Sequence, residues 1–279
     1  MCIRLAVQKM SRAVVVAMLC VSMAASVCFA AAKQPIVIQG AMDVETKAMV
    51  DQLSNVTEQV FGDWHFFTGE LDGYPVVIAK TEIGMTNAAA STLLAIEKFD
   101  PAYIINQGTS GGHDPKLHRY DIVLGTTTVN IGAFRTNHGD VKAGVAPEKW
   151  IPMSVGFSED EHSEKGSVLK GDAALLDTAK RVAGAHTKGQ VVEGVIGSAD
   201  QWNRELDRIR WIHEQYGTSV EEMETASAAQ VARAYNVPFL GIRILSNSEW
   251  HDGETFDPQA GVDCQNYVMT VVKALIAGM

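Results

Sequence analysis

The 279-residue chain has few cysteines, and most of them lie at one end. Cys2, Cys20 and Cys28 fall within the first 32 residues, which leaves Cys264 alone in the rest of the chain. A single cysteine cannot form an intramolecular disulfide, so the fold must be stabilised by its hydrophobic core. We interpret Cys264 as a helix-packing residue, because no histidine or other base lies near it in sequence.

Positive charge is also scarce. There are 23 Lys and Arg residues against 33 Asp and Glu residues, for a formal net charge of −10. This balance argues against nucleic acid or an anionic membrane as a partner. The sequence has no cofactor motif, and its histidines lack the spacing of metal ligands, so we expect neither a cofactor nor a metal. The histidines considered are His65, His113, His118 and His138.

The first 32 residues have the order of a secretory signal peptide, with basic residues first, then an apolar stretch, then small residues. The basic residues are Arg4, Lys9 and Arg12. Cleavage is predicted after Ala30 or Ala32, and an uncleaved membrane anchor is the alternative, because the apolar stretch is nearly long enough to span a bilayer. We predict a signal peptide at 1–32 and one domain at 33–279, periplasmic or secreted, with no stable membrane partner after cleavage.

Beyond the signal, strand-length apolar runs alternate with helical patterns. This is typical of a single α/β domain with a mixed central sheet flanked by helices. Strands are predicted at 36–38, 65–71, 74–80, 102–107, 121–129, 191–197, around Glu222 and at 237–245. Helices are predicted at 43–60, 86–99, 172–183, 202–216 and 258–277. The Asp72-Gly73 dipeptide predicts a hairpin turn, and 130–171 is predicted to be a long functional or subunit-contact loop.

Five polar segments lie at or near the carboxyl ends of predicted strands, where an open α/β sheet binds its ligand. They are 40–45, 106–112, 198–202, 222–224 and 243–247. In this order they resemble the purine nucleoside phosphorylase and nucleosidase superfamily, and most of all its 5′-methylthioadenosine/S-adenosylhomocysteine nucleosidases. The resemblance extends from about Pro35 to the last helix and is weakest over 130–171. It implies a nucleoside phosphorylase-like fold that hydrolyses the N-ribosidic bond of a purine nucleoside. It also implies a homodimer whose second chain closes part of the pocket.

The resemblance assigns the sugar chemistry to carboxylates. Cleavage of an N-ribosidic bond passes through an oxocarbenium-like sugar, which carboxylates stabilise. Glu45 is expected to activate the attacking water, and its alternative is an ordinary acidic residue in the first turn of a helix. Glu224, with Glu222 beside it, is expected to accept hydrogen bonds from the ribose hydroxyls while Met223 packs on the sugar.

Further residues complete the predicted site. Trp202 is expected to stack on the base, and its alternative is a core residue at a helix start. The other substrate-binding residues predicted are Met42, Thr109, Arg243 and Phe256. The glycine-rich 108–112 segment offers backbone donors for an anion or a water. The related hexameric phosphorylases have one arginine where this chain has Asn106 and another in the segment that follows the first strand. This chain has no arginine at 40–53 either. Without those cations a phosphate would be poorly neutralised, so water is the favoured nucleophile.

Asn247 departs from the nucleosidase pattern, which has an aspartic acid there to protonate N7 of the leaving base. An amide donates a hydrogen bond but releases no proton, so the roughly 10²- to 10⁴-fold contribution of a general acid is lost. Glu249, His251 or Asp252 are possible substitutes, although they fit a solvated loop better. The alternatives are a non-catalytic exported nucleoside-binding or storage protein, or a nucleosidase or phosphorylase acting on 6-oxopurines.

Overall fold

The computed structural model describes residues 33–153, 155 and 168–279, so the predicted signal peptide lies outside the described residues. The twelve strands of the described part are β1 Ile36–Gly40, β2 Ser54–Phe61, β3 Trp64–Leu71, β4 Tyr74–Lys80, β5 Tyr103–Gly112, β6 Ile122–Asn130, β7 Phe134–Arg135, β8 Ile151–Pro152, β9 Val168–Lys170, β10 Val191–Ser198, β11 Thr218–Glu222 and β12 Phe239–Asn247. The α-helices are α1 Asp43–Val50, α2 Met85–Phe99, α3 Ala173–Arg181, α4 Leu206–Tyr216, α5 Thr225–Ala234 and α6 Gln259–Ala277. Short 3₁₀ turns occupy Pro147–Lys149 and Ala183–Ala185. None of the described helices is long and apolar enough to cross a membrane.

One mixed sheet organises the domain, in the order β11-β10-β6-β12-β5-β1-β4-β3-β2. The strands around β1 and β5 are parallel, whereas β2, β3 and β4 form an antiparallel meander. The last two residues of β5, Gly111 and Gly112, pair antiparallel with β11, so that β11, β10, β6, β12 and β5 close into a ring. The predicted mixed α/β domain is therefore confirmed.

The core lies on both faces of this sheet. Ile36 and Ile38 pack with α1, α3 and α6 on one face, and the intervening Val37 packs with α2 and α5 on the other. Such two-sided burial follows from the period of two along a strand. Cys264 is fully buried in the first cluster, and burial raises the pKa of its thiol to about 12. The prediction that Cys264 is a packing residue is confirmed.

The predicted helix 43–60 is wrong in its second half. Helix α1 ends at Val50, and Ser54–Phe61 forms the exposed edge strand β2 against β3. The β-branched residues Val56, Thr57 and Val60 favour a strand, and pairing with β3 overrides any helical periodicity. The predicted β3–β4 hairpin is confirmed, because Asp72 and Gly73 both have positive φ, as a type I′ turn requires.

Two further boundaries differ from the prediction near the site. The glycine-rich 108–112 segment is the second half of strand β5, because its backbone pairs with β12 and β11. The predicted helix 202–216 begins at Leu206, with Glu205 as its N-cap residue. Trp202 consequently lies in a connecting segment, outside the helix.

Candidate active site

A cavity of about 270 Å³ lies where β1, β5, β11 and β12 end. All of the predicted site residues except Arg243 line it: Met42, Glu45, Thr109, Trp202, Glu222, Met223, Glu224, Asn247 and Phe256. Ala41, Ile83, Ser110, Gly111, Gln201, Glu221 and Ser246 complete the wall. Segments that are far apart in the sequence therefore form one concave site, as expected at the carboxyl ends of parallel strands.

Glu45 is held by four hydrogen bonds. Its Oε2 accepts from the backbone N–H groups of Ala41, at 2.9 Å, and Met42, at 3.2 Å. Its Oε1 accepts from the backbone N–H of Thr109, at 2.7 Å, and from the Thr109 hydroxyl, at 2.9 Å. Glu45 thus caps the start of α1 and also faces the cavity, and the donors predicted to hold an anion or water hold this carboxylate instead.

Glu224 is a second carboxylate that lines the cavity. Its Oε1 accepts from the backbone N–H of Gly84 at 2.9 Å. Burial, with the neighbouring charges of Glu222 and Glu45, raises the pKa of Glu224 to about 8, although Arg243 opposes the shift. At neutral pH Glu224 is therefore mostly protonated, able to donate one hydrogen bond as well as to accept others.

Glu222 differs from Glu224 in its protonation state, although the two residues are only two positions apart in the sequence. Burial opposes its charge, but Arg243 and a hydrogen bond from Ser198 outweigh this and hold the pKa of Glu222 below its usual value. Arg243 Nε and Nη2 donate to Glu222 Oε2 at 3.0 and 2.5 Å, and Thr225 donates to it as well. Both oxygens of Glu222 have protein partners, so its contribution is to orient the Glu224 segment, whose backbone N–H also donates to it.

Arg243 does not lie where the prediction put it. Its side chain is 1 % exposed and is enclosed by Glu222 and by Asn106, whose Oδ1 accepts from Nη2 at 2.5 Å. A buried guanidinium needs such partners, and here it is fully occupied below the cavity floor. Arg243 therefore offsets the charges of the glutamates, with Nη2 2.5 Å from Glu222 Oε2 and 3.7 Å from Glu224 Oε2, and is not among the residues that line the cavity.

Trp202 and Phe256 form an open, solvent-exposed side of the cavity. Their ring centroids are 6.2 Å apart, and they are 62 % and 44 % exposed. A large aromatic residue so exposed is not part of the core, which excludes the alternative that Trp202 is a core residue at a helix start. Its neighbour Asn203 is anchored to Glu221 through both its backbone N–H and its side-chain amide. The two rings are thus available to a flat ligand.

Asn247, the last residue of β12, is buried and lines the cavity together with these aromatic rings. Its Oδ1 lies 3.1 Å from the Ser246 hydroxyl. None of the suggested substitute acids, Glu249, His251 and Asp252, lines the cavity. Glu249 is paired with Arg204 at 3.0 Å, and His251 Nε2 lies 3.1 Å from the carbonyl oxygen of Leu117.

Three further residues come together outside the cavity in a way the sequence spacing did not indicate. His118, His251 and Glu254 bring potential ligand atoms within 4.8 Å of one another. His118 Nδ1 lies 2.9 Å from Glu254 Oε1, and the two imidazole rings stack with centroids 3.9 Å apart. These contacts link His118 to the segment 251–254, which leads to Phe256.

Comparison with known proteins gives the family. The model of the phosphorylase superfamily matches residues 35–277, nearly all of the domain. The chain belongs to the phosphorylase superfamily. It is 30 % identical over 249 residues to the 5′-methylthioadenosine/S-adenosylhomocysteine nucleosidase of Bacillus thuringiensis subsp. konkukian, covering 86 % of this chain and 99 % of that protein. The corresponding nucleosidase of Bacillus anthracis has the same identity and coverage.

Solved structures of the phosphorylase superfamily share this fold. The 5′-methylthioadenosine/S-adenosylhomocysteine nucleosidase of Neisseria meningitidis, in complex with methylthio-immucillin-A, is 27 % identical with a TM-score of 0.71. The alignment covers 86 % of this chain and 99 % of that one. The futalosine hydrolase of Helicobacter pylori agrees in fold, with 22 % sequence identity and a TM-score of 0.70. That alignment covers 86 % of this chain and 97 % of the hydrolase.

The cavity of this superfamily member is unfavourable to phosphate. Four glutamates line it, and no Lys or Arg does so among the described residues. A phosphate dianion would enter without a cation to neutralise it and close to the charge of Glu222. Water meets no such barrier, which agrees with the nucleophile favoured from the sequence.

Proposed function

We propose that this protein hydrolyses the N-ribosidic bond of purine nucleosides of the 5′-methylthioadenosine or S-adenosylhomocysteine type, releasing the free base and the sugar. The observation that carries the proposal is Glu45, fixed by four hydrogen bonds, in one cavity with Glu224 and with no lining cation. The nucleosidases named above, which match almost the full domain, support the same reaction. The alternatives of a pure binding protein or a 6-oxopurine enzyme are not favoured.

In the proposed reaction, the sugar lies between Glu224 and Met223. Glu224 exchanges hydrogen bonds with the ribose hydroxyls. The Thr109 hydroxyl rotates away from Glu45 Oε1 to admit a water molecule, and Glu45 accepts the proton of that water as it attacks the anomeric carbon. The positive charge that develops on the sugar as the bond to the base breaks favours the ionised form of Glu224, whose carboxylate then stabilises that charge. This division of roles places the bond chemistry entirely at the end of the cavity built by α1, β5 and the residues after β11.

The base leaves from the other end. It stacks against Trp202 and carries away the electron pair of the broken bond, while the Asn247 amide donates a hydrogen bond to N7. Because an amide has no proton to transfer, the departing base receives its proton from solvent. This step makes the reaction slower than one assisted by a general acid.

The test is release of base from a panel of nucleosides. The purified domain is incubated with methylthioadenosine, S-adenosylhomocysteine, adenosine, inosine and guanosine, each with and without phosphate, and free base is quantified by chromatography. Release that does not depend on phosphate, with methylthioadenosine or S-adenosylhomocysteine preferred, is the expected result. Appearance of a sugar phosphate, or no release from any nucleoside, would contradict the proposal.

The proposal includes export and assembly. We propose that residues 1–32 are removed, that the domain acts in the periplasm or outside the cell, and that it works as a homodimer. The basic-to-apolar order of the N-terminus supports export. Half-exposed apolar residues at the cavity mouth, Ile83 and Phe256, support a second chain there. Mass spectrometry of the exported protein and light scattering of the purified domain test the two points. A retained N-terminus or a monomer mass would contradict them.

A further inference from the structure

The cavity contains a carboxylate to which the sugar chemistry gives no role. Glu221 is 5 % exposed, lies in β11 directly before Glu222 and lines the cavity. A carboxylate is rarely buried without a partner or a task, since removing it from water is costly. Glu221 lies at the end of the cavity that holds the base in the proposed reaction.

Strand register places Glu221 opposite Asn247. Gly111 of β5 is the pairing partner of Glu221 on β11 and also of Asn247 on β12. Residues that pair directly across strands project to the same face of the sheet, so these two side chains flank one glycine. A Cβ at Gly111 would lie 3.6 Å from Asn247 Nδ2, 3.6 Å from Glu221 Cγ and 3.9 Å from Glu221 Oε1. The absent side chain leaves a slot between an amide and a carboxylate.

The protein leaves part of this carboxylate unused. Oε1 accepts from the backbone N–H of Asn203 at 2.7 Å, and Oε2 accepts from Asn203 Nδ2 at 2.6 Å. His113 Nε2 lies 3.1 Å from Oε2 but is not aligned as a hydrogen-bond donor. Since each carboxylate oxygen accepts two hydrogen bonds, Oε1 retains capacity for one more donor. Asn203 adjoins Trp202, so this carboxylate is fixed next to the stacking ring.

We propose that Glu221 is the base-recognition residue of this enzyme, accepting an N–H from the six-membered ring of the purine. Asn247 donates to the base across the slot left by Gly111. The inference rests on the proposed function for the identity of the ligand as a purine nucleoside. The N–H comes either from the exocyclic amine of a 6-aminopurine or from N1 of a 6-oxopurine, and the test separates these two sources.

This arrangement predicts discrimination against bases without a donor. A purine that carries only hydrogen at C6 presents the lone pair of N1 to the carboxylate, which leaves N1 and the remaining lone pair of Glu221 Oε1 without a donor. A site built to hydrogen-bond a substrate rejects the analogue that lacks the group much more strongly than a hydrophobic pocket rejects a smaller ligand. We expect a preference of about 10- to 100-fold, the range typical of a hydrogen bond to a charged group.

Equilibrium binding in a turnover-free background measures this preference. Adenosine, inosine and the riboside of unsubstituted purine are titrated into Glu45→Gln protein by calorimetry. The same titrations are repeated after adding Glu221→Gln, Glu221→Leu or, as a matched control, Glu214→Gln, which changes an exposed glutamate of α4. Thermal unfolding of each variant checks that it is folded.

The expected result is that adenosine or inosine binds at least about tenfold more tightly than the unsubstituted riboside, and that Glu221→Leu reduces this ratio to near one. Whichever nucleoside binds more tightly identifies the donor, and Glu214→Gln leaves the ratio unchanged. Equal affinities in the parent protein, or equal weakening of all three ligands by both Glu221 variants, would overturn the inference and leave Glu221 with only its link to Asn203.

The outcome is separable from that of the proposed function. Base release by the wild-type protein is assayed in parallel with the titrations. A protein that does not hydrolyse nucleosides but loses its preference on Glu221→Leu keeps the inference and loses the proposed reaction. If the wild-type protein hydrolyses nucleosides and Glu221→Leu keeps the binding preference, the proposed reaction stands and the inference about Glu221 fails.

Discussion

The two ends of the cavity are built differently. At the sugar end, Glu45 is fixed by backbone donors from the β1–α1 connection and from β5, and Glu45 itself is only 3 % exposed. At the base end, the aromatic side chains are exposed, and the polar pair Asn247 and Glu221 is held by side chains and by strand register. The chemistry of bond cleavage is thus fixed by the backbone of the fold, whereas the choice of base depends on a few side chains that can change singly.

The sharpest test of the sugar end is loss of the proposed base. Glu45→Gln keeps the shape and two acceptor positions but cannot take a proton, so we expect kcat to fall about 10³-fold with little change in KM. Asp43→Asn is the matched control, because Asp43 is an acid in the same helical turn that is 81 % exposed and pairs with Lys80. Steady-state base release measures both. Equal effects of the two substitutions would mean that Glu45 only caps the helix.

The base end is tested by restoring an acid. In Asn247→Asp, burial and the nearby glutamates would hold the new carboxyl partly protonated, so it can transfer a proton to N7. We expect kcat for adenine nucleosides to rise about 10- to 100-fold. The control is Asn266→Asp on the exposed side of α6. A decrease in kcat would mean that the amide itself is the group suited to the leaving base.

Two glycines of β5 compare the ends directly. A Cβ at Gly108 would lie 2.7 Å from Glu45 Oε1 and 3.2 Å from an Arg243 nitrogen, whereas the nearest atoms to a Cβ at Gly111 are 3.6 Å away. We expect Gly108→Ala to cost about 1–3 kcal/mol of stability and at least about tenfold in kcat. Gly111→Ala should change stability by less than about 0.5 kcal/mol. Urea unfolding and base release measure the pair, and indistinguishable variants would contradict the asymmetry.

The proton on Glu224 makes the stability of the protein depend on pH. The folded state holds this proton up to a pKa of about 8, whereas the unfolded chain releases it near the ordinary glutamate pKa of 4.5. The folded state thus binds more protons between these values, and stability falls as pH rises, by at most about 1.4 kcal/mol per pH unit. Glu224→Gln should remove that loss, so its stability relative to wild type increases from pH 5 to pH 8. Urea unfolding across this range, with Glu214→Gln as control, measures it. A constant difference would place the Glu224 pKa near its ordinary value.

The sequence predicted the features that depend on local chemistry. The Asp72-Gly73 turn has one favourable geometry, and strands such as Ile36–Gly40 are apolar throughout because both faces are covered. Glu45 was assigned to the site by the resemblance to the nucleosidases, and its position in the first turn of a helix that follows a strand agrees with that assignment, because such side chains lie at the sheet edge. The second half of the predicted helix 43–60 failed because edge strand β2 is determined by its partner β3, which no local pattern reveals.

Side-chain partners were the part that the sequence could not give. Arg243 and Glu222 both follow the family pattern, yet only the folded chain shows that they neutralise each other beneath the cavity. Glu221 was missed for a related reason. Adjacent residues of a strand normally face opposite sides, and only the folded chain, with β11 paired to the end of β5, shows that Glu221 lines the cavity as Glu222 does. The signal available was a third glutamate next to Glu222 and Glu224.

The closure of β5 onto β11 also determines when the site can exist during folding. The walls of the cavity come from residues as distant as Ala41 and Phe256, and β5 joins them by pairing with strands from both halves of the chain. Contacts between such distant residues form only after large loops have closed, which is slow and entropically costly. No early hairpin or helical segment holds even half of the site. A chain that can bind its substrate has therefore completed nearly all of its folding.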